Sequence, residues 1–186
     1  MRSAVKEKLA IAKVAAGLLG DSERIFLDCG TTCLQLANIL SASLGLTVFT
    51  YSLANIAVLE GNKGIRLIAF GGELDRKISA FVGAATESAV GSCYFDMAFF
   101  GATGIDPESG VTDNSVVEGG IKRIAAANAK KRVVLADGSK FGKIAFRSFL
   151  DIGVTPLTII TDSSAPEEVC DALIERKVEI LKSPYA

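Results

Sequence analysis

Short apolar runs, each ending in a cluster of small polar residues, recur six times along this chain. The first runs from Ile25 to Leu27 and continues into Asp28-Cys29-Gly30-Thr31-Thr32. The other five cover residues 46–49, 65–70, 97–100, 133–136 and 157–160. Short apolar runs without alternation are typical of strands buried on both faces of a parallel sheet. Because ligands bind beyond the carboxyl ends of such strands, the polar clusters predict a binding site there for a small anionic ligand.

The segments between these runs have the spacing of helices. Helices are predicted over residues 4–19, 31–43, 53–60, 84–91, 116–130 and 166–176, and the strands extend over 94–100, 132–136, 157–161 and 178–181. Residues 71–83 and 101–115 are predicted to be long loops, and loops of that length are usually functional. The alternation predicts an α/β fold, a single domain over residues 1–186 with a mostly parallel, Rossmann-like sheet flanked by helices.

Composition narrows the classes of protein that are possible. Apolar residues make up 49% of the chain, and 20 basic residues face 21 acidic ones without a basic block, which argues against a nucleic-acid-binding surface. No apolar stretch approaches the ~18 residues of a membrane span. The first eight residues become charged too early for a signal peptide, so we expect a cytoplasmic protein.

Cysteine and histidine usage restricts the chemistry. The four cysteines form no CxxC pair, and two thiolates, Cys29 and Cys33, do not complete a zinc site, so neither a metal nor a cofactor is expected. The chain has no histidine, which removes histidine-dependent triads and the commonest general base.

Two clusters have the chemistry of a phosphate site. Gly30 permits a tight turn, and Thr31 and Thr32 present hydroxyls and amides at a helix N-terminus, where anions are favoured. The alternative is ordinary capping of that helix. In Asp137-Gly138-Ser139-Lys140-Phe141-Gly142, Lys140 follows a strand and could reach a phosphate; the alternative is a solvated loop lysine.

Two glycine clusters and one charged pair suggest contacts with a sugar. The segments Gly71-Gly72-Glu73 and 101–106 allow close approach of the backbone to a ligand, although plain turns explain them equally well. The second segment lacks the third glycine of a dinucleotide fingerprint. Glu118 and Lys122 share one helical face and could hold hydroxyls and a phosphate, or form an exposed ion pair worth ~0.3–0.5 kcal/mol.

Several segments follow one another in an order that is far more specific than any one of them. They are Ile25-Phe26-Leu27-Asp28-x-Gly30-Thr31-Thr32, Val48-Phe49-Thr50-x-Ser52, Gly71-Gly72, Gly83, Asp96-x-Ala98-Phe99-x-Gly101-x-x-Gly104-Ile105-Asp106, Gly110-x-Thr112, Glu118-x-x-x-Lys122 and Asp137-x-Ser139-Lys140-Phe141-Gly142. In this order they resemble the effector-sensing domain of the DeoR family of bacterial transcription regulators, over nearly the whole chain.

The resemblance implies a fold, a ligand and partners. The fold would be the one shared by ribose-5-phosphate isomerase, glucosamine-6-phosphate deaminase and CoA transferases. The ligand would be a phosphorylated sugar or a related metabolite, and the domain would form a homo-oligomer, either a dimer or a tetramer. In such regulators a winged helix-turn-helix precedes the sensor, so we expect this chain to be the sensor part of a longer repressor that contacts DNA only through that module.

The resemblance also assigns residues to the site. Phosphate binding would fall to Asp28, Gly30, Thr31, Thr32 and Lys140, and sugar binding to Ser52, Gly71, Gly72, Gly101, Gly104, Asp106, Glu118 and Lys122. This chain departs from the family in having Tyr51 in place of asparagine and Cys33 in place of threonine or serine. Tyr51 would add an aromatic wall near the site.

Three functions are compatible with these residues. A non-catalytic sensor of sugar phosphates is favoured, because the ordered motifs belong to regulators. A sugar-phosphate isomerase is the alternative, with Asp106, Glu118 and Lys122 as acid–base groups. The third is an interaction module with a vestigial cleft, which would use the apolar segments Ile144-Ala145-Phe146 and Phe149-Leu150 as its surface.

Overall fold

The computed structural model describes residues 3–20, 24–40 and 45–184. Within these ranges the chain forms six α-helices: α1 (Ser3–Ala16), α2 (Thr31–Leu40), α3 (Leu53–Leu59), α4 (Ala84–Gly91), α5 (Val116–Ala127) and α6 (Glu167–Glu175). The same ranges contain twelve strands: β1 (Arg24–Leu27), β2 (Thr47–Thr50), β3 (Arg66–Ala69), β4 (Glu73–Asp75), β5 (Ala80–Val82), β6 (Phe95–Gly101), β7 (Gly104–Asp106), β8 (Gly110–Asp113), β9 (Ala129–Leu135), β10 (Arg147–Leu150), β11 (Leu157–Thr161) and β12 (Glu179–Lys182).

Seven of these strands form one central sheet. Their order is β12-β11-β9-β6-β1-β2-β3, and each neighbouring pair is parallel. Strand β1 lies inside the sheet, where Ile25 pairs with Val48 on one side and Met97 on the other. The predicted α/β fold with a mostly parallel sheet is confirmed. All seven strands therefore end at the same edge, which collects the polar clusters that follow them.

The sheet is buried on both faces. In β1, Ile25 and Leu27 pack with apolar residues of α1, α2 and α3, whereas Phe26 packs on the other face with residues of α4, α5 and α6. All three side chains are fully buried. Since side chains alternate between faces along a strand, a strand covered on both sides has to be apolar at every position. This is the cause of the unbroken apolar runs in the sequence.

The two segments predicted to be long loops contain strands instead. In the first, β4 and β5 form an antiparallel hairpin. In the second, β7 and β8 form a hairpin that joins β10 in a three-stranded antiparallel sheet. Strand β10 was not predicted at all. These strands are only three or four residues long, and β10 pairs with a segment more than thirty positions earlier across a register shift, so no local pattern marks them.

The two apolar segments that were predicted to lie on the surface differ in burial. Phe149 and Leu150 lie on β10 and are buried, and the Phe149 ring packs against Phe100 at 5.8 Å. Ile144 and Phe146 precede β10 and are 65% and 76% exposed. The prediction that both segments lie on the surface is therefore wrong for Phe149-Leu150.

Several predicted element ends also shift. Helix α1 ends at Ala16 rather than at residue 19, and β9 begins at Ala129 rather than at residue 132. The predicted end of α2, over residues 41–43, lies outside the described residues. In the part of the chain that the structure describes, no helix has the length and apolarity needed to cross a membrane.

Candidate functional site

A polar cleft of about 320 Å³ opens at the carboxyl edge of the central sheet. It lies where β1, β6 and β9 end, between the start of α2, the start of α5 and the first half of α1. The lining residues are Lys8, Cys29, Gly30, Thr31, Thr32, Gly101, Ala102, Thr103, Asp113, Glu118, Lys122, Leu135, Ala136, Asp137 and Lys140. The position agrees with the edge at which the sequence predicts a ligand.

The turn from β1 into α2 forms one wall of the cleft. The amide of Leu34 donates to the Gly30 carbonyl over 2.9 Å, which is the first bond of the helix, so the earlier amides have no partner within it. A side chain at Gly30 would meet nothing within 4 Å, which leaves the approach to these amides open. Such an end of a helix attracts anions because its amides and its dipole both favour negative charge.

Two lysines stand at the rim beside this wall. Lys8, from α1, donates from its Nζ to the Thr31 Oγ1 over 2.8 Å. Lys140 ends a short 3-10 turn over Gly138–Lys140, in which the Asp137 carboxylate accepts from the Ser139 amide over 3.1 Å. Neither ammonium group forms a salt bridge with a carboxylate of the described residues. This end of the cleft therefore has unneutralised positive charge.

The floor of the cleft is a buried ion cluster centred on Lys122. This side chain is 3% exposed, and its Nζ lies 2.6 Å from the Asp113 carboxylate, 3.0 Å from that of Asp28 and 4.0 Å from that of Glu118. It also donates to the Gly101 carbonyl over 3.2 Å. Burial alone would lower the pKa of Lys122, but Asp28 and Asp113 outweigh it and raise the pKa above its usual range. Lys122 is therefore a fixed cation whose charge is already compensated.

Asp28 connects this cluster to the core behind it. Its side chain is fully buried and accepts hydrogen bonds from the Gly101 amide, over 2.9 Å, and from the Tyr51 hydroxyl. Its carbonyl accepts from the Asn55 side chain over 2.9 Å. Because its polar atoms already have partners within the protein, Asp28 holds the residues of the cleft floor in place and does not itself line the cleft.

The remaining two carboxylates differ in how readily they hold a proton. For Asp113, burial acts to raise the pKa, but Lys122 and nearby backbone amides outweigh it and the pKa lies below its usual range. For Glu118, burial raises the pKa, and repulsion by Asp28 and Asp113 adds to it against the opposing effect of Lys122. Together these groups offer the cleft hydrogen-bond acceptors, with Glu118 the one that most readily takes a proton. Among the described residues, no group of His, Cys, Asp and Glu side chains is arranged to hold a metal ion.

The structure brings seven of the thirteen predicted site residues to the cleft: Gly30, Thr31, Thr32, Gly101, Glu118, Lys122 and Lys140. Asp28 lies directly behind them. Sequence reasoning missed Lys8, Cys29, Asp113 and Asp137, which also line it. Only Cys29 and Asp137 had a local signal, since each lies within a motif that was singled out; Lys8 and Asp113 arrive from distant elements.

The other five predicted residues have structural tasks away from the cleft. Ser52 caps α3 by accepting from the Asn55 amide over 3.3 Å, and Asp106 accepts two amides in the turn after β7. A side chain at Gly104 would lie 2.3 Å from the Lys143 carbonyl.

Gly71 and Gly72 hold the first hairpin against α4. The Thr86 hydroxyl donates to the Gly71 carbonyl over 2.9 Å, and a side chain at Gly72 would meet the same hydroxyl at 2.1 Å. The missing side chain of Gly72 therefore permits packing of the hairpin on α4, whereas Gly71, where a side chain would meet nothing within 4 Å, takes part through its carbonyl.

The two departures from the family pattern also lie outside the cleft. Tyr51 is fully buried, stacks on Phe26 at 5.9 Å and accepts from the Cys29 thiol over 3.3 Å, so it is not the aromatic wall that was expected. Cys33 is fully buried on the other face of the sheet, with its thiol 3.9 Å from the Phe99 carbonyl. Burial raises the pKa of both thiols, which keeps them neutral.

Comparison with known proteins identifies relatives over nearly the whole chain. Residues 3–163 match the family described as the DeoR C-terminal sensor domain. The chain is 35% identical over 178 residues to the uncharacterized HTH-type transcriptional regulator FruR of Bacillus subtilis, covering 96% of this chain and 69% of that protein. It is 32% identical over 181 residues to the HTH-type transcriptional repressor GlcR of the same organism, covering 97% and 69%.

Solved structures with the same fold are more distant in sequence. A ribose-5-phosphate isomerase A from Methanocaldococcus jannaschii superposes with a TM-score of 0.53 at 21% identity, over 72% of this chain and 53% of that one. The translation initiation factor eIF-2B from Pyrococcus horikoshii superposes with a TM-score of 0.53 at 18% identity, over 78% and 50%. An enzyme and an initiation factor share this fold, so these similarities show the fold alone.

Replacing Lys122 by methionine should destabilise the protein strongly. The substitution keeps the aliphatic chain but leaves two buried carboxylates without their cation, and breaking a buried ion pair from one side costs about 3–5 kcal/mol. The free energy of unfolding, measured with urea at pH 7.5, tests this. Lys63→Met, at an exposed position, is the control and should change it little. Equal stability of the two variants would contradict the structural role of the cluster.

Replacing Glu118 by glutamine should stabilise the protein at neutral pH. Because the pKa of Glu118 is raised in the folded state, the folded protein holds this proton more tightly than the unfolded chain does. The contribution of Glu118 to the free energy of unfolding therefore falls as pH rises from about 4.5 through the raised pKa. Glutamine removes that loss, so the melting temperature of the variant should exceed that of the wild type at pH 7.5.

The difference should shrink as pH approaches 4, where Glu118 becomes protonated. Melting curves between pH 4 and 8 test this, with the exposed Glu175→Gln as the matched control. A lower melting temperature for Glu118→Gln at neutral pH would mean that Lys122 holds Glu118 ionised.

Proposed function

The chain belongs to the DeoR C-terminal sensor domain family, and on this premise we propose that its cleft binds a phosphorylated sugar or a related metabolite to control transcription. Membership in a family of transcription regulators supports a sensor of a repressor-type regulator over an enzyme. The chemical class of the effector has to be argued from the geometry and charges of the cleft.

The observation that supports a sugar phosphate is the division of charge within one cleft. The end formed by Thr31 and Thr32 has helix amides, hydroxyls and the two rim lysines that lack carboxylate partners among the described residues. The floor presents Asp113 and Glu118, whose oxygens are acceptors around an already compensated Lys122. A ligand with a phosphate at one end and hydroxyls at the other matches both halves.

The residues have separate roles in this proposal. The amides and hydroxyls of residues 30–32 bind phosphate oxygens, and Lys140 supplies a point charge. Glu118 and Asp113 accept hydrogen bonds from sugar hydroxyls. Lys122, which was the alternative cation for the phosphate, instead holds the carboxylates in place because three of them already surround it. Ser52, Gly71, Gly72, Gly104 and Asp106 do not line the cleft, and the proposal gives them no contact with the ligand.

We infer that the chain is one sensor domain of a longer DNA-binding protein. FruR and GlcR are both named HTH-type regulators, and the chain spans 69% of each. Occupancy of the cleft would shift the balance between two states with different affinity for DNA, as linkage requires. We also infer a cytoplasmic protein, because the four cysteines are free thiols and a repressor acts where the chromosome is. The homo-oligomer stays a prediction from the resemblance.

Thermal unfolding against a panel of sugar phosphates, each beside its unphosphorylated sugar, tests this function. A ligand at ~100 times its Kd stabilises by ~2.7 kcal/mol, which raises the melting temperature of a domain of this size by several degrees. We expect a selective rise with one phosphorylated sugar, and the recovered ligand should be chemically unchanged. If no sugar phosphate raised the melting temperature of the folded protein, the proposal would be contradicted. Chemical conversion of the ligand would instead favour the alternative function, a sugar-phosphate isomerase.

Replacing Lys140 by methionine should weaken phosphorylated ligands about 10- to 100-fold, the range expected for loss of a hydrogen bond to a charged group. Binding of the unphosphorylated sugar should hardly change, because the lysine faces the phosphate end. Calorimetric titration of both ligands measures the two effects. Lys143→Met, an exposed lysine outside the cleft, is the matched control. Equal losses for both ligands would show that Lys140 does not contact the phosphate.

A further inference from the structure

Helix α1 extends one side chain into the cleft from a part of the chain in which no site residue was expected. Lys8 lies in the first half of α1, and its Nζ donates to the Thr31 Oγ1 over 2.8 Å. Thr31 is the first residue of α2 and belongs to the wall with unpaired helix amides. The ammonium group of Lys8 therefore lies where the proposed function places a phosphate.

The surroundings of Lys8 favour an anion in the same place. Lys8 and Lys140 line this cleft together. Both also line an adjoining groove, where Glu7 and Asp162 lie as well and Asp162 accepts from the Gly138 and Ser164 amides. Asp137 lines both spaces, but its carboxylate already accepts from the amide and the hydroxyl of Ser139. Two like charges near each other repel, and an anion bound between them turns that repulsion into attraction for both.

The way α1 is packed gives the contact a mechanical consequence. Ile11, Ala12 and Ala15 are fully buried against the sheet, whereas Val5 and Leu9 are 57% and 37% exposed. The second half of α1 is thus anchored in the core, and two apolar side chains of the first half, Val5 and Leu9, face solvent. Lys8 is the side chain of that first half that contacts the wall of the cleft through a hydrogen bond to Thr31.

We propose that Lys8 contacts the phosphate of the effector and that its engagement fastens the first half of α1 to the sheet. Helix α1 then transmits occupancy of the cleft to whatever lies on its N-terminal side. This rests on the proposed function. The family is described as a C-terminal sensor domain, so in its HTH-type members the remaining chain lies on that side of α1.

A purely structural lysine would behave differently. An exposed hydrogen bond between Lys8 and Thr31 contributes little to stability, and its loss would leave affinity for a phosphate unchanged. The two roles are separated by comparing ligand affinity with the stability of the empty protein. The helix supplies its own controls, since Lys6 and Lys13 are exposed lysines of α1 that do not line the cleft.

The experiment uses Lys8→Met and Lys8→Gln beside Lys6→Met and Lys13→Met in the 186-residue chain. Affinity for inorganic phosphate and for the sugar phosphate selected by the panel is measured by calorimetric titration. Loss of the Lys8 charge should weaken both by at least about tenfold, as expected for a hydrogen bond to a charged group. The two controls should bind like the wild type, and the melting temperature without ligand should be equal in all of them.

Hydrogen exchange of the α1 amides tests the transmission. In the wild type and in the controls, saturating ligand should slow exchange in the first half of α1. In Lys8→Met, at a ligand concentration raised to restore saturation, exchange there should stay as fast as in the empty protein.

The outcomes separate this proposal from the proposed function. If the wild type binds a sugar phosphate and Lys8→Met binds it equally well, Lys8 is not a ligand contact and the proposal is wrong. Weakened binding with unchanged protection of α1 overturns the transmission through this helix. If the wild type binds neither inorganic phosphate nor any sugar phosphate, the proposed function fails, and the role of Lys8 fails with it.

Discussion

The burial of Lys122 among three carboxylates is the constraint on which the cleft depends. An ammonium group taken out of water is tolerated only when charges and hydrogen bonds surround it. Here the partners come from the end of β1 (Asp28), the end of β8 (Asp113), the first turn of α5 (Glu118) and the Gly101 carbonyl. Elements far apart in the sequence therefore meet at one cation, and none can move without uncovering a buried charge.

This cluster also decides what the rest of the cleft can bind. Because Lys122 is already compensated, it leaves acceptor oxygens facing the cleft rather than a site for an anion. The positive charge available to a ligand comes from Lys8 and Lys140 at the rim, next to the helix amides that begin α2. Charge is thus separated along the cleft before any ligand arrives. Such preorganisation reduces the cost of binding a molecule that has an anionic end and a hydroxyl-bearing end.

The comparisons show why the site, and not the fold, supports the function. The same sheet occurs in a ribose-5-phosphate isomerase and in an initiation factor, each at about 20% identity. A parallel sheet provides an edge where loops and helix starts converge, and the residues at that edge determine what happens there. Asp106 closes a turn outside the cleft, and Lys122 is enclosed by carboxylates. Of the three candidate acid–base residues, Glu118 is therefore left in the cleft without a second one to work with. This arrangement suits binding better than proton transfer.

Local patterns in the sequence are enough to predict the parallel sheet, its polar edge and the residues that follow its strands. Short apolar runs such as Ile25–Leu27 are typical of strands covered on both faces, and Gly30, Thr31 and Thr32 then lie at the strand end. Which side chains converge in the cleft follows instead from contacts between distant segments. Lys8 and Asp113 enter the cleft from α1 and from an unpredicted antiparallel sheet, while Asp106 and Ser52, equally plausible from local pattern, are used in a turn and a helix cap. The physical reason is that strand burial is encoded within a few neighbouring residues, whereas the direction of a side chain into a shared cleft depends on pairing and packing between distant segments.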